Sequence, residues 1–261
     1  MTYDMLMRHA EDMRAMAVSV ATAGIGDEVW RRRAVEREFA DLPDAFRALT
    51  GFPEPDDGPA RQVRSVLDGL STGDGTANPA LHELSTGLRN WTGAAAERFR
   101  TGFLQPWPAF VHNQYTVGVV LCSGLVAEQE IWARARQDAD QIAEQGLAAV
   151  AACGDCTRTE WTVTFTVVAS VAAVAAVPVT GGLSLAAGGI AALAQVAAAT
   201  GPGEPPRTSF SADDPGEVAD RVREAIRQLL GHIDDRLEAA REALRSTSRL
   251  MADRPELFGW R

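Results

Sequence analysis

The sequence predicts an all-α protein. The expected form is an elongated helical bundle with a W-x-G helical hairpin, an apolar Ala/Gly-rich helical hairpin and a long C-terminal amphipathic helix. Three observations carry this expectation. First, aromatic residues make up only 7% of the chain, alternating runs are scarce, and the helix formers Ala, Leu, Arg and Glu dominate. Second, Val218, Val222, Ile226, Leu229, Ile233, Leu237, Ala240, Leu244 and Met251 recur at three-and-four spacing, with Thr247 in the one gap. That stripe asks for a partner helix. Third, the 43 residues from Trp161 to Gly203 hold no Asp, Glu, Lys, Arg or His. Pro178-Val179-Thr180-Gly181-Gly182 divides them into two apolar arms, Trp161–Val177 and Leu183–Ala199, and two apolar arms around a tight turn read as a helical hairpin.

The elements follow in order. Residues 2–23 read as a helix with Tyr3, Leu6, Met13, Met16 and Val20 roughly on one stripe, ended by Gly24-Ile25-Gly26. Asp27 suits the N-cap of a charge-rich helix near 28–40. Pro43 breaks that helix, and a short helical turn follows to Thr50. GFPEPDDGP at 51–59 reads as a loop, and Asp57 with Pro59 starts a helix over 59–70. After the loop STGDGTANP, Asn78-Pro79 opens a helix to Asn90. Trp91-Thr92-Gly93 follows, then a second helical arm over 94–152, kinked or broken at Pro106 and Pro108. Its stretch 117–127 is apolar on all sides and is expected to be deeply buried. Past the uncharged segment, GPGEPPRTSFSADDPG reads as a linker. Asp214-Pro215 then starts the last helix, roughly 216–252, which is expected to pack along the 109–152 arm.

The 261 residues allow one large domain or two modest ones. The divisions expected are 1–57 (N-terminal helices), 58–152 (W-x-G hairpin), 153–203 (apolar hairpin) and 204–261 (linker and amphipathic helix). Net charge is −10, and every one of the 25 basic residues is Arg. An acidic chain is a poor nucleic-acid binder, since phosphate contacts need a basic face. It is equally poorly suited to holding anionic lipid by charge alone. The first 20 residues carry Asp4, Arg8, Glu11, Asp12 and Arg14, so no cleavable secretory leader is expected there.

Chemistry-bearing constellations are sparse. The four His are scattered, and no HExxH is present. Ser123 in LCSGL lacks the first Gly of a nucleophile elbow, and no Lys exists for a phosphate-binding loop or a Schiff base. No enzyme, cofactor or metal is therefore expected. Cys153-Gly154-Asp155-Cys156 is a lone CxxC without a second ligand pair. The two thiols read as loop cysteines able to oxidise to each other outside the cell.

The segment LRNWTGAAAERF gives Trp91, Gly93, the small residues Ala94–Ala96 and then Phe99, flanked by helices on both sides. It resembles the turn of the WXG100 family, whose members are helical hairpins linked to type VII secretion. Gly93 lets the chain reverse tightly, and Trp91 is placed to lie across the two arms and seal them. The resemblance covers about residues 79–150. It implies export by a type VII system, so that the chain is cytoplasmic first and then secreted or membrane-associated without a cleaved signal. The family's Tyr-x-x-x-Asp/Glu pattern is missing, which places any such signal on a partner. The larger plan also resembles longer type VII-associated helical proteins of Gram-positive bacteria and, more loosely, α-helical pore formers.

Trp161, Phe165, Val171, Pro178, Gly181, Gly182 and Ile190 mark the uncharged hairpin. Each 17-residue arm is about 25 Å long as a helix, against a hydrocarbon core of about 30 Å. Val and Phe favour insertion of the first arm by about 0.3–0.6 kcal/mol each, and Thr162, Thr164, Thr166 and Ser170 oppose it. Three readings stay open: burial in a soluble bundle, a constitutive two-span anchor, or shelter in one state and insertion or oligomer packing in another. The expected partners are a protein or a second copy through helical packing, and a membrane. The alternative function is a soluble helical partner-binding or scaffold module with the hairpin permanently buried.

Overall fold

A computed structural model describes residues 3–23, 28–53, 56–70, 79–153, 158–168 and 204–255. The described chain is predominantly helical, as its composition predicts. The helices are α1 (Tyr3–Thr22), α2 (Glu28–Glu38), α3 (Leu42–Thr50), α4 (Gly58–Leu70), α5 (Pro79–Gly87), α6 (Ala94–Phe99), α7 (Trp107–Ala152) and α8 (Pro215–Asp253). A π-helical segment, Arg100–Leu104, follows α6, and two strands, β1 (Thr159–Thr164) and β2 (Arg207–Ala212), stand between α7 and α8.

Helix boundaries follow local chemistry. Pro43 sits in the first turn of α3, where its missing N–H costs nothing. The Asp56 carboxylate accepts the Gly58 amide at the start of α4 (2.8 Å). At the start of α8 two carboxylates cap reciprocally: Asp214 Oδ1 accepts the Glu217 amide (2.9 Å), and Glu217 Oε2 accepts the Asp213 amide (3.0 Å).

The chain divides into two compact units. The first takes its described residues from within 1–55, 128–171 and 202–238 and holds the hydrophobic core. Leu6, Ala10, Met13 and Ala17 line the buried face of α1, so Ala10 and Ala17 take the places expected for Met16 and Val20. Phe39, Leu42, Phe46 and Leu49 fill the same core from the α2–α3 corner. The second half of α7 contributes a stripe through Ile131, Ala135, Ala139, Ile142 and Val150. The first half of α8 buries the predicted stripe from Val218 to Leu237. Gly146 lies where these helices meet: a Cβ there would stand 2.7 Å from Val222 Cγ2 and 3.0 Å from Met13 Sδ.

The strands correct the sequence reading. Trp161–Thr164, expected to begin a helical arm, belongs to β1, and Thr166–Val168 form a single 3₁₀ turn. β1 pairs antiparallel with β2 in the register Trp161↔Phe210 and Val163↔Thr208. Trp161, Val163 and Phe165 alternate with Thr162, Thr164 and Thr166. β-branched and aromatic residues with period two suit a half-buried strand. Val163, Phe165 and Phe210 are buried on one face, and Thr162 meets Ser209 across the other (3.2 Å). The remainder of the uncharged hairpin, including Val171, Pro178, Gly181, Gly182 and Ile190, lies outside the described residues.

The second unit takes its described residues from within 56–127 and 239–255. Among its described apolar residues only Ala60, Leu67, Ala96, Cys122 and Ala127 are buried. The expected deep burial of 117–127 is therefore not met. Cys122 and Ala127 are buried, Leu121 is exposed and the rest are intermediate. Gly118 lies close to Leu67 of α4 and Gly124 close to Leu244 of α8.

Candidate functional site

Two places bring the singled-out residues into defined geometry. The first is the W-x-G turn in the second unit. After α5 the Trp91 amide donates to the Leu88 carbonyl (3.1 Å). Gly93 has φ 99° and ψ 176°, a conformation that L side chains rarely adopt. Its carbonyl accepts the Glu97 amide (3.1 Å) and so begins α6. The Trp91 ring rests on Phe99, with centroids 5.7 Å apart. The contact continues as a ladder, Phe99 to Phe103 at 5.0 Å and Phe103 to Trp107 at 5.2 Å. Trp91 remains 40% exposed, so it braces one arm and does not seal the crossing of two.

Arg100, which the sequence reading passed over, ties this turn. Its guanidinium donates to the carbonyls of Trp91 (2.5 Å) and Leu88 (3.3 Å). A charged donor on carbonyls that a helix end leaves unpaired satisfies them without another strand or helix. The π-helical bond from the Gln105 amide to the Arg100 carbonyl (2.9 Å) lies just before Pro106. Proline cannot donate, so a shift in bonding register there loses little.

The second place is where the chain enters the uncharged segment, in the first unit. The Phe165 amide donates to the Pro206 carbonyl (2.9 Å), which extends the ribbon past its last strand pair. The chain thus leaves for residues 169–203 and returns from them at one point. Beside this closure stands Asp138 of α7, the buried charged residue of the described chain, with 0% exposure. Its Oδ1 accepts the Thr166 hydroxyl (2.6 Å), and its Oδ2 accepts the Val167 amide (2.9 Å). Burial pushes its pKa above the ordinary 3.8, against the lowering pull of those hydrogen bonds and of Arg134. The His232 ring of α8 lies 5.1 Å from Phe165. Its pKa is lowered, chiefly by desolvation and in spite of Asp235.

Of the predicted site residues, Trp91, Gly93 and Phe99 come together, and Trp161 and Phe165 join the ribbon, with Trp161 stacked on Phe210 at 5.7 Å. Cys153 is a free, half-buried thiol with Sγ 3.9 Å from Thr159 Oγ1. Burial raises its pKa and disfavours the reactive thiolate. Cys156 lies outside the described residues. Asp138 was missed although its position carries a signal, since it falls beside Ala135 and Ala139 on the buried stripe of α7. Among the described residues no group of three or more His, Cys, Asp or Glu is placed to hold a metal ion. Comparison with family models, with curated proteins and with solved structures found no match for this chain.

Proposed function

We propose that this is a non-enzymatic helical protein associated with type VII secretion, whose uncharged segment is its membrane-active or oligomer-forming element. The observation that carries the reading is the closed ribbon at Phe165 and Pro206. An uncharged insert whose two ends are pinned together can change its surroundings without unravelling the core to which it is attached. Asp138 reinforces the closure from the side. The positive-φ Gly93 and the Trp91–Phe99 contact support the link to W-x-G proteins.

The test is vesicle flotation and dye release with the detergent-free full chain over a range of pH. Release, or lipid-dependent assembly, that is lost when Val171 and Ile190 are replaced by Asp is the expected result. A chain indifferent to lipid at every pH overturns the reading. The soluble partner-binding alternative draws its support from the half-exposed apolar stretch of α7. Tight binding of a protein partner by a lipid-indifferent chain is the result that selects it.

A further inference from the structure

Helix α2, in the first unit, presents bare apolar side chains among cations. Trp30, at 65%, is the most exposed large apolar side chain of the described residues, and its neighbour Val29 is 62% exposed. Arg31, Arg32, Arg33 and Arg37 are exposed with them. The other side of the helix is held to the core by Val35 and, just past the helix end, by Phe39, both buried. Positions 29, 33 and 37 follow one another at a helical turn, with 30 beside them, so Val29, Trp30, Arg33 and Arg37 share the outward face. The nearby acids are engaged elsewhere. Glu36 pairs with Arg32 (2.9 Å), and the Glu38 carboxylate stands beside Gly216 of α8. Arg37 Nε donates to the Arg33 carbonyl (3.2 Å), and Arg31, Arg33 and Arg37 have no carboxylate partner among the described residues. A single exposed apolar residue is ordinary. An indole and a valine set among unmatched guanidinium groups, in a chain of net charge −10, form a face that fits an apolar surface bordered by anions.

We infer that the outward face of α2 docks on the surface of an anionic phospholipid bilayer, with Trp30 and Val29 at the headgroup–acyl boundary and Arg33 and Arg37 on lipid phosphates. Three features select a lipid surface over a protein. The apolar part of the face is two adjacent side chains, and the rest of what it exposes is charged. A stable protein interface takes about 800 Å² from each partner around an apolar core, whereas a bilayer surface needs no shaped pocket. Tryptophan and arginine also suit the same depth: the indole lies at the membrane–water interface, and the long Arg stem lets its head reach a phosphate. Guanidinium matches phosphate oxygens in bidentate fashion. The acidity of the whole chain does not forbid the contact, because charges more than about 8 Å away are largely screened at physiological salt. With 11 residues, α2 lies on the surface and does not span it. This inference rests on the membrane reading of the proposed function only for the presence of a bilayer, since α2 is separate from the uncharged insert after β1.

The experiment is flotation of the full chain with vesicles of phosphatidylcholine containing phosphatidylglycerol, and with vesicles of phosphatidylcholine alone. Binding to the anionic vesicles, weakened by added salt, is the expected result. Trp30→Ala is expected to lower that binding about tenfold. Arg33→Gln with Arg37→Gln is expected to lower it about tenfold or more, and to leave any binding to phosphatidylcholine alone unchanged. Because these side chains are exposed, the circular dichroism spectrum and urea midpoint of both variants should match those of the parent chain. Flotation that survives both α2 variants but is lost when Val171 and Ile190 are replaced by Asp overturns this inference and leaves the proposed function standing. Flotation lost with the α2 variants and retained with the Asp replacements supports it and counts against the insert. A lipid-free dimer broken by Trp30→Ala, or an acidic protein bound through this face, overturns it if the chain ignores anionic vesicles.

Discussion

At the scale of single residues, three side-chain positions decide local structure. Gly93 holds a backbone conformation that a Cβ strains, although nothing stands within 4 Å of the place it would occupy. Gly93→Ala is therefore expected to cost about 1–3 kcal/mol, read by urea unfolding, without any change in packing. Trp91→Ala removes one partially exposed ring contact and is expected to cost only about 1 kcal/mol. A larger loss of assembly than of stability in that variant marks the turn as a contact surface. Asp138→Ala leaves the Thr166 hydroxyl and the Val167 amide without their acceptor, a loss of about 1–3 kcal/mol for each buried donor. The pH dependence has a definite sign. Because burial raises the folded-state pKa above 3.8, the folded protein holds this proton more tightly than the unfolded chain does. The contribution of Asp138 is full below the unfolded value and is lost as pH rises through the folded one. Asp138→Asn is expected to flatten that decline, measured as urea midpoints from acid to neutral pH. An unchanged profile removes the buried carboxylate from the account.

At the scale of elements, α7 and α8 show how one periodicity serves two environments. The α8 stripe was legible in the sequence because every third or fourth residue is large and apolar, and those from Val218 to Leu237 are buried. On α7 the corresponding stripe mixes Ile131, Ile142 and Val150 with Ala135, Ala139 and Ala143, so at its small positions and at Gly146 contact depends on close approach and not on side-chain volume. Gly146→Leu is expected to destabilise by roughly 1–3 kcal/mol through collision with Val222 and Met13. Gly231→Ala on α8, with open space around it, is expected to stabilise by about 0.5–1 kcal/mol. Thermal unfolding of both variants should move in opposite directions. Surface pairs such as Arg32–Glu36 and Arg221–Glu217 are exposed i,i+4 contacts and contribute little to either helix. The ribbon is the element the sequence reading mistook. Its period-two alternation was present in WTVTFTV, but the uncharged run beyond it drew attention to burial and away from period.

At the scale of the whole molecule, apolar material is distributed unevenly. One unit closes around Phe39, Phe46 and Phe165, and among the described residues of the other, the uncharged first half of α7 is half-buried. Proteolysis under native conditions is expected to cut the described residues of the second unit, where few apolar side chains are buried, before the core helices of the first, because local opening follows the density of buried apolar contact. By itself the sequence determined the helical class, the helix starts at Pro79 and Asp214-Pro215, the turn at Gly93 and the buried face of α8. Each of these rests on local spacing or local backbone chemistry. Only the tertiary structure decided that Trp161 pairs with Phe210 of β2, that Phe165 bonds Pro206, that Asp138 is buried nearby and that residues 117–127 of α7 are half-buried. Those outcomes depend on which distant residues meet. Strand partners, desolvation and the filling of a core are set by contacts between chain segments tens of residues apart, and no local period encodes them.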